Sequence, residues 1–566
     1  MMSLRTLCIF TAASLLMFSC SKTPQTFDFD YPIDNFTDDA LLDLRYLNED
    51  VAGEHGFITL SPDSNSFVRG DGEPVRFWSV NEGGNARRLS DDDMRRHARF
   101  LAKIGVNMVR FHGSVNPAGK GTDINDVDTA EVKAIWKTVA FMKEQGIYTT
   151  ISPFWAHNGH MGGWVPEEWS IEGYSGKDDM WGVIFFNDRL KEAYKTWVKY
   201  LYTTPNTYTG VALRDEPAVG LIQVQNEDGV FFWTMQNIKP ELKLLVRKKF
   251  TAWLIKKYGS YQKTLAHWNN YSLEGDQAGK QLFDIFSTWQ MTQELPEEQR
   301  PRMKDQVEFL TETQYNFYKE MHDYYRDELG CKQLINASNW KTADQLRLND
   351  LERYTYTACE VEAVNRYFDP GHVGENSGWR IDTGHYYQGN SALKNPVDIP
   401  INIKQVEGYP MLVTESGWNL PNKYQSEAPL LISTYSSLSG VDSYYWFVFN
   451  AIDLDRDPYL TQFKLGEDLY PMNRWTYSTP GGAWMFPANA LLYRMGYVKT
   501  GKTVVHEERT MDQLYNRVIP VISEENSYDP NRDAEFAPGK SMRETEVNPL
   551  AYLTGRVEVK YGTQKP

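Results

Sequence analysis

Cysteine is scarce in this chain, with only four among 566 residues. No CxxC or HExxH pattern occurs, so the usual spacings of a structural zinc site and of a zinc-protease helix are missing. Cys331 and Cys359 lie in the body of the chain, where they can form one disulfide in an oxidising compartment or stay as buried thiols. We expect no metal site and no cofactor.

Positive charge is also in deficit. The 59 Lys and Arg residues face 75 Asp and Glu residues, which gives a net charge of -16. Such a chain repels phosphate backbones, so we do not expect nucleic acid as a partner. It also repels a strongly anionic polymer unless the binding site is locally basic.

Aromatic residues, by contrast, are abundant at 14% of the chain, with 17 Trp and 34 Tyr. They can build a large core, or they can present flat faces on which the C–H faces of sugars stack. Composition leaves both interpretations open.

Long apolar runs are absent near the start of the chain, where Leu7 to Phe18 is too short to span a bilayer. Arg5 precedes this run, and a small residue followed by Cys20 ends it, which resembles a bacterial lipoprotein signal. The resemblance implies that residues 1–20 are a signal peptide and that Cys20 is lipidated. Residues 21–45 are polar and acidic, which predicts a tether. Several acyl chains on one cysteine would anchor the protein in the cell envelope, on the periplasmic or the surface face of the outer membrane. Ordinary secretion with Cys20 free is the alternative.

From residue 46 onwards, turn chemistry at Gly70-Asp71-Gly72 between short β-rich runs predicts a hairpin. Strands and helices then alternate. Ser90 and Asp93 resemble a capping box that begins a helix, and Gly105 fits the position just after its end. Eight apolar runs predict strands at Val75–Val80, Val106–Phe111, Ile147–Phe154, Val219–Val224, Gln333–Ala337, Ala363–Tyr367, Met411–Val413 and Ser443–Phe449.

Eight strands separated by helices favour an α/β fold of the (β/α)8 (TIM) barrel type over an open sheet. We assign the barrel, with its hairpin, to residues 46–485, and a small β-rich C-terminal module to residues 486–566. Long insertions are expected at about 155–210 and 270–305.

Two glutamates follow apolar strands directly. Glu227 comes after the fourth predicted strand, and Glu415 after the seventh. Barrel chemistry takes place at the carboxyl ends of the strands, so both side chains should meet at one face. Either glutamate alone would more often be a strand-end cap or a salt-bridge partner, but the pair has the composition of a glycosidase site, one carboxyl as acid/base and one as nucleophile.

The Asn226-Glu227 pair at strand four and Glu415 at strand seven resemble clan A of the glycoside hydrolases, over roughly residues 55–450. The opening segment, Phe67 to Asn81, looks like family 5 cellulase-like enzymes, whereas Phe250 to Gly259 looks more like family 42 β-galactosidases. The clan resemblance implies retention of configuration by double displacement, with Glu227 as acid/base and Glu415 as nucleophile. A carbohydrate is then the expected partner, while the oligomeric state stays open.

The resemblance also implies roles for neighbouring residues. Arg110, at the end of strand two, would bond the nucleophile and keep it ionised. Asn226 would bond the sugar 2-hydroxyl. Tyr367, at the end of strand six, matches a residue that bonds the nucleophile, but Asn365 stands where the cellulase-like pattern has histidine.

His112 and His157 follow strands two and three, and Trp446 lies in strand eight, where the clan often stacks a tryptophan beneath the sugar. Each is a candidate for substrate binding, and each can instead be structural. Several loop tryptophans are further candidate platforms: Trp155, Trp164, Trp169, Trp233, Trp340, Trp379 and Trp418.

Two other classes of function stay open. One is a non-catalytic surface glycan-binding lipoprotein, which the aromatic content and the anchor suit equally well but which has no need of the carboxylate pair. The other is a metal-dependent hydrolase using His112, His157 and acidic residues, although no tight ligand spacing supports it. The sugar, the linkage, and endo or exo action are not encoded in these patterns.

Overall fold

The computed structural model describes residues 36–37, 39–117, 122–157, 169–174, 180–368, 371–375, 377–378, 380–381, 384–450, 472–479, 481–524 and 545–562. The predicted signal peptide, Cys20, most of the tether, and two of the candidate platforms, Trp164 and Trp379, lie outside these residues. Within the described part, no helix has both the length and the apolar character needed to cross a membrane.

Eight parallel strands form the centre of the fold and confirm the predicted (β/α)8 barrel. From the first strand to the fifth, and from the sixth to the eighth, each barrel strand pairs with the next one along the chain, and the eighth strand pairs with the first. A parallel bridge between Asn336 and Val361 joins the two outer strands and closes the ring. The barrel strands are β4 (Phe77–Glu82), β5 (Met108–His112), β6 (Tyr148–Ser152), β7 (Val219–Gln223), β8 (Leu334–Asn336), β9 (Glu362–Asn365), β14 (Met411–Ser416) and β15 (Ser443–Phe449).

Helices pack around this ring because their apolar faces cover strands whose outer faces are also apolar. The first helix begins as predicted, with the Ser90 hydroxyl accepting from the Asp93 N–H, and Gly105 follows its end with a positive φ. The α-helices are Asp91–Lys103, Thr129–Lys143, Val183–Phe186, Asp188–Thr203, Pro240–Tyr258, Tyr261–His267, Thr288–Thr292, Arg300–Asp323, Asn349–Tyr356, Glu427–Ser439, Phe486–Arg494 and Met511–Tyr515.

The amino end of the barrel is closed by the predicted hairpin. Its strands are antiparallel: β1 (Thr59–Leu60), β2 (Phe67–Val68) and β3 (Pro74–Val75). Phe67 contacts Phe77 inside the barrel, and Phe77 contacts Tyr148, with ring centroids 5.8 Å apart in both pairs. The interior at this end is therefore an apolar plug, and the polar interior lies at the opposite end.

The C-terminal part contains β17 (Thr503–Arg509) and β18 (Arg556–Tyr561), which pair in parallel with each other and with β13 (Gln405–Val406). Residues 486–494, at the start of the predicted C-terminal module, form a helix on the barrel wall, where Phe486 packs edge-on against Trp78 at 5.2 Å. Short two-residue strands complete the structure: β10 (His372–Val373), β11 (Arg380–Ile381), β12 (Tyr386–Tyr387) and β16 (Met472–Asn473). Cys331 and Cys359 are both buried and free, so the disulfide alternative is wrong.

Candidate active site

Glu227 and Glu415 lie at the carboxyl end of the barrel, as the sequence predicts. Glu227 follows β7 and Glu415 lies within β14, and both are buried, with 8% and 5% of their surface exposed. A carboxyl group buried to this degree must find hydrogen-bond donors. The donors around each glutamate differ, and that difference defines the site.

Arg110 is the central cation of the site and is completely buried. Its Nη1 donates to Glu415 Oε1 at 2.9 Å and to Asn81 Oδ1 at 2.8 Å. Its Nη2 donates to Asn226 Oδ1 at 2.6 Å and its Nε to Gln223 Oε1 at 2.9 Å. These bonds fix the guanidinium in one orientation, and the contact to Glu415 implied by the clan resemblance is present.

Tyr367 supplies a second donor to Glu415. Its hydroxyl donates to Oε2 at 2.8 Å. Burial, followed by the negative charges of Glu415 and Glu227, raises the pKa of Tyr367 well above its ordinary value. The phenol therefore keeps its proton and acts as a donor to Glu415.

Glu227 is held by a neutral amide. Asn365 Nδ2 donates to Glu227 Oε1 at 2.6 Å. The Thr414 hydroxyl donates to Asn365 Oδ1 at 2.8 Å, which turns the NH2 group of the amide towards Glu227. The residue that departs from the cellulase-like pattern thus contacts the candidate acid/base directly.

Asn339, just after β8, fixes the backbone that carries this pair. Its Oδ1 accepts from the Glu227 N–H at 2.9 Å, and its Nδ2 donates to Asn226 Oδ1 at 3.0 Å. Its backbone oxygen also accepts from the Asn365 N–H at 2.7 Å. Glu227 adopts a left-handed φ of 41°, a conformation that a non-glycine residue keeps only where its surroundings impose it.

Asn226 is oriented by these same bonds. Its Oδ1 accepts from both Arg110 and Asn339, so the amide offers N–H donors to a ligand. No described residue accepts from its Nδ2. The geometry is compatible with the bond to a sugar hydroxyl that the resemblance implies.

Other acidic side chains near these strand ends accept hydrogen bonds from backbone N–H groups. Glu82, at the end of β4, accepts from the N–H groups of Gly84, Asn85 and Ala86. Asp228 accepts from the N–H groups of Gly182 and Gly229, and burial raises its pKa to about 8. These residues cap loops, whereas Glu415 is bonded to the side chain of Tyr367 and Glu227 to that of Asn365.

His112 and His157 lie in one aromatic cluster beside the site. The Trp155 ring stacks on His157 at 4.7 Å and meets His112 edge-on at 5.1 Å, and Trp181 packs edge-on against both Trp155 and His157. His112 Nδ1 also lies 3.3 Å from Ser152 Oγ. Because Trp155 bridges to the Asn226 backbone, the cluster borders the carboxylates.

The structure does not bring Trp446 to the carboxylates, because its side chain points to the helix layer. It is fully buried and packs against Trp78, Tyr477 and Phe486. Successive strand residues point to opposite faces, so the next residue, Phe447, faces the barrel interior. Its ring lies 6.2 Å from that of Tyr367 and is half-buried.

The described loop tryptophans divide into two groups. Trp169, Trp340 and Trp418 are buried and pack their loops down. Trp233, in the loop after Glu227, is half-buried and stacks on Trp289 with ring centroids 6.2 Å apart. Trp289 is 57% exposed, and its backbone N–H is anchored to Gln236 Oε1 at 2.9 Å. This pair is a preformed flat surface on the same face as the carboxylates.

Potential metal ligands group elsewhere. Among the described residues, Glu49, Glu54 and His55 form the one such group, at the amino end of the barrel. His112 and His157 do not belong to it.

Asn339 and Asn365 contact the site but were not predicted. Asn365 carried a signal, since it occupies a position where the resemblance expects histidine. Asn339 carried none, because an asparagine in a loop is ordinary and the partners of its side chain lie more than 100 residues away.

Comparisons with known proteins were made for sequence and for fold. No family model matches this sequence. No curated protein matches it either. Among solved structures, the endo-1,4-β-D-mannanase of Thermotoga petrophila RKU-1 is 15% identical with a TM-score of 0.42, over 74% of this chain and 100% of that one.

Two β-galactosidases are similar at the same level. That of Marinomonas ef1 is 13% identical with a TM-score of 0.45, over 78% of this chain and 64% of that one. That of Rahnella sp. R3 is 12% identical with a TM-score of 0.47, over 81% and 61%. These values are too low to carry an inference about activity, which has to come from the side chains of the site.

Proposed function

We propose that this protein is a retaining glycoside hydrolase that cleaves β-glycosidic bonds of an oligo- or polysaccharide. The observation that carries the proposal is the pair of buried glutamates at the carboxyl end of the barrel, held by different partners. Glu415 is bonded to a cation and a phenol, whereas Glu227 is bonded to a neutral amide. Two carboxyls in unlike surroundings are what a double displacement needs.

The roles follow from these partners. Arg110 and Tyr367 both stabilise negative charge on Glu415, which suits a nucleophile that must be ionised when it attacks. Asn365 donates to Oε1 of Glu227, so this bond is kept both when Glu227 is ionised and when it carries a proton on Oε2. Glu227 can therefore serve as the acid in one step and the base in the next.

In the first step, Glu227 gives its proton to the glycosidic oxygen while Glu415 attacks the anomeric carbon and the leaving alcohol departs. In the second step, Glu227 takes a proton from water, and the resulting hydroxide displaces Glu415 from that carbon. Two inversions return the starting configuration. This requires a separation of roughly 5–5.5 Å between the two carboxyl groups, which stays a prediction.

The test is hydrolysis of a panel of aryl β-glycosides and of plant and algal oligosaccharides, with product anomers followed by NMR. A β-anomer as first product supports the proposal. An α-anomer as first product would mean inversion, and no turnover on any substrate would favour a binding protein. The panel also identifies the sugar and the linkage.

A non-catalytic glycan-binding protein is the second candidate, and the Trp233–Trp289 stack, in which Trp289 is exposed, also suits it. The Glu227→Gln variant separates the two candidates, because it should keep glycan affinity under both. Only if the protein is an enzyme does the wild type hydrolyse a glycan, and the variant should then lose that activity.

We further propose that Cys20 carries the lipid anchor of an envelope protein, on the basis of the signal-like residues before it. The Cys20→Ser variant should then leave the membrane fraction. If it still fractionates with membranes and is released only by detergent, the anchor is not at Cys20.

A further inference from the structure

One residue stands between the two side chains that hold the glutamates. Asn365 contacts Glu227 and Tyr367 contacts Glu415. Arg366, between them, points to the other side of the chain because successive residues of an extended segment alternate. Whatever holds Arg366 therefore holds both contacts to the glutamates.

Glu524, from the C-terminal part of the chain, holds Arg366. Arg366 Nη1 donates to the Glu524 backbone oxygen at 2.8 Å, and its Nη2 donates to the Glu524 carboxylate. Both residues are buried, with 4% and 1% of their surface exposed. A bidentate contact of this kind fixes the direction of the arginine as well as its position.

The same carboxylate is bonded on every side. Arg353 Nη1 donates to Glu524 Oε1 at 3.1 Å, and the Lys404 N–H donates to that oxygen at 2.6 Å. Asn349 Nδ2 donates to Oε2 at 3.1 Å. A carboxylate with this many donors has one position available to it.

Arg353 extends the clamp to the far end of strand β9. Its Nε donates at 2.7 Å to Glu362, the first residue of that strand, and both side chains are fully buried. One carboxylate, Glu524, is thus connected to the start of β9 through Arg353 and to its end through Arg366. The strand that carries Asn365 is fixed at both ends.

We infer that Glu524 is a positioning residue for the proposed reaction: by clamping Arg366, it sets the geometry of Asn365 and Tyr367 against Glu227 and Glu415. The catalytic face then depends on a segment 158 residues further along the chain. This inference rests on the proposed function for its kinetic consequence but not for the clamp itself.

The test compares two variants of the full-length protein. Glu524→Gln keeps the size of the side chain but cannot satisfy two guanidinium groups. Asp350→Asn is the matched control, because Asp350 is buried in the same junction, bonded to Lys404 and Tyr561, and does not contact Arg366. A general loss of stability in this buried region should affect both variants.

We expect Glu524→Gln to lower kcat by roughly 10- to 100-fold while KM changes by less than about twofold, because a misplacement near 1 Å can cost about 10²-fold in rate. Asp350→Asn should lower the melting temperature to a similar degree and leave kcat unchanged. A kcat that falls in both variants in proportion to their melting temperatures would overturn the inference, as would full kcat in Glu524→Gln.

Should Glu524→Gln fail to fold, Arg366→Lys keeps a cation beside Glu524 but loses the bidentate contact. It should lower kcat in the same direction, and full activity in this variant would also overturn the inference.

Hydrogen–deuterium exchange of the peptide spanning residues 362–368 tests the clamp without activity. Exchange should speed up in Glu524→Gln or Arg366→Lys and not in Asp350→Asn, and unchanged exchange counts against the clamp. If the wild-type protein hydrolyses nothing, the proposed function fails, and this exchange result still decides whether the clamp exists.

Discussion

The two ends of the barrel are built from the same eight strands but are filled by opposite kinds of side chain. At the amino end, Phe67, Phe77 and Tyr148 form an apolar plug under the hairpin. At the carboxyl end, Arg110 and Glu415 form a buried ion pair inside a network of amides. In the same strands, the buried hydroxyls of Ser79 and Ser443 are hydrogen-bonded to each other, and so are those of Thr150 and Tyr445.

This difference separates stability from chemistry. Apolar burial stabilises a fold in proportion to area and tolerates many residue types, whereas buried charges cost desolvation and are kept where they serve a purpose. We therefore expect the amino end to determine the stability of the barrel and the carboxyl end to determine its activity. Substitutions at each end of the barrel test this expectation.

The largest effect is expected from Glu415→Ala. Without its nucleophile, the enzyme cannot form the covalent intermediate, and kcat should fall on the order of 10⁶-fold, as when the nucleophile of another hydrolase is removed. Azide should enter the vacated space and give a glycosyl azide of inverted configuration. Glu407→Ala, which removes a half-exposed surface carboxylate, is the control and should behave as wild type. Full activity in Glu415→Ala would place the chemistry elsewhere.

Glu227→Ala should have a smaller effect that depends on the leaving group. With a poor leaving group, kcat should fall by about 10²–10⁴-fold, the usual worth of general acid/base help. With dinitrophenolate, no proton is needed in the first step, so that step should be nearly normal and the intermediate should accumulate. Azide should then give a product of retained configuration. The opposite stereochemistry in the two glutamate variants would mean that their roles are exchanged.

Phe77→Ala probes the other end of the barrel. It removes a fully buried ring from the plug and should lower the free energy of unfolding by about 3–5 kcal/mol, as phenylalanine truncations in cores do. The folded fraction should keep its kcat, since Phe77 is part of the amino-end plug. Denaturant unfolding and active-site titration measure the two quantities, with Leu41→Ala, at a fully exposed position, as the control. A loss of kcat per folded molecule would show that the two ends are coupled.

The barrel could be predicted from the sequence because its signals are local. Each of the eight strands is a short apolar run, and each glutamate follows its run directly, so strand number and the shared face came from reading along the chain. It was harder to predict which side chains of a strand point into the barrel. Trp446 and Phe447 are adjacent aromatics in an all-apolar run, and in such a run the sequence does not mark which residue points inward.

Contacts between distant segments could be predicted only where the clan resemblance implied them, as for Arg110 and Glu415. Asn339 bonds Glu227 across 112 residues, and Glu524 bonds Arg366 across 158. Neither residue belongs to a motif, because a hydrogen bond constrains the final geometry and not the spacing along the chain. The sequence therefore predicted Glu227 and Glu415, but it did not predict Asn339 and Glu524, which hold the surrounding residues in place.

The smallest effect is expected from Trp289→Ala, which tests how far the carboxyl end extends as a binding surface. The exposed Trp289 ring, stacked on Trp233 in the loop after Glu227, should bind a sugar several units from the cleaved bond. An aromatic contact of this kind is worth about 0.5–1.5 kcal/mol, so kcat/KM for a long oligosaccharide should fall by roughly 2- to 10-fold. An aryl monoglycoside does not reach the pair and should be hydrolysed normally. Tyr497→Ala, at a position 64% exposed beyond the last barrel helix, is the control and should change neither substrate. Equal losses on both substrates would mean that Trp289 supports the loop that carries Glu227, and no loss on either would confine the site to the carboxylates and their immediate neighbours.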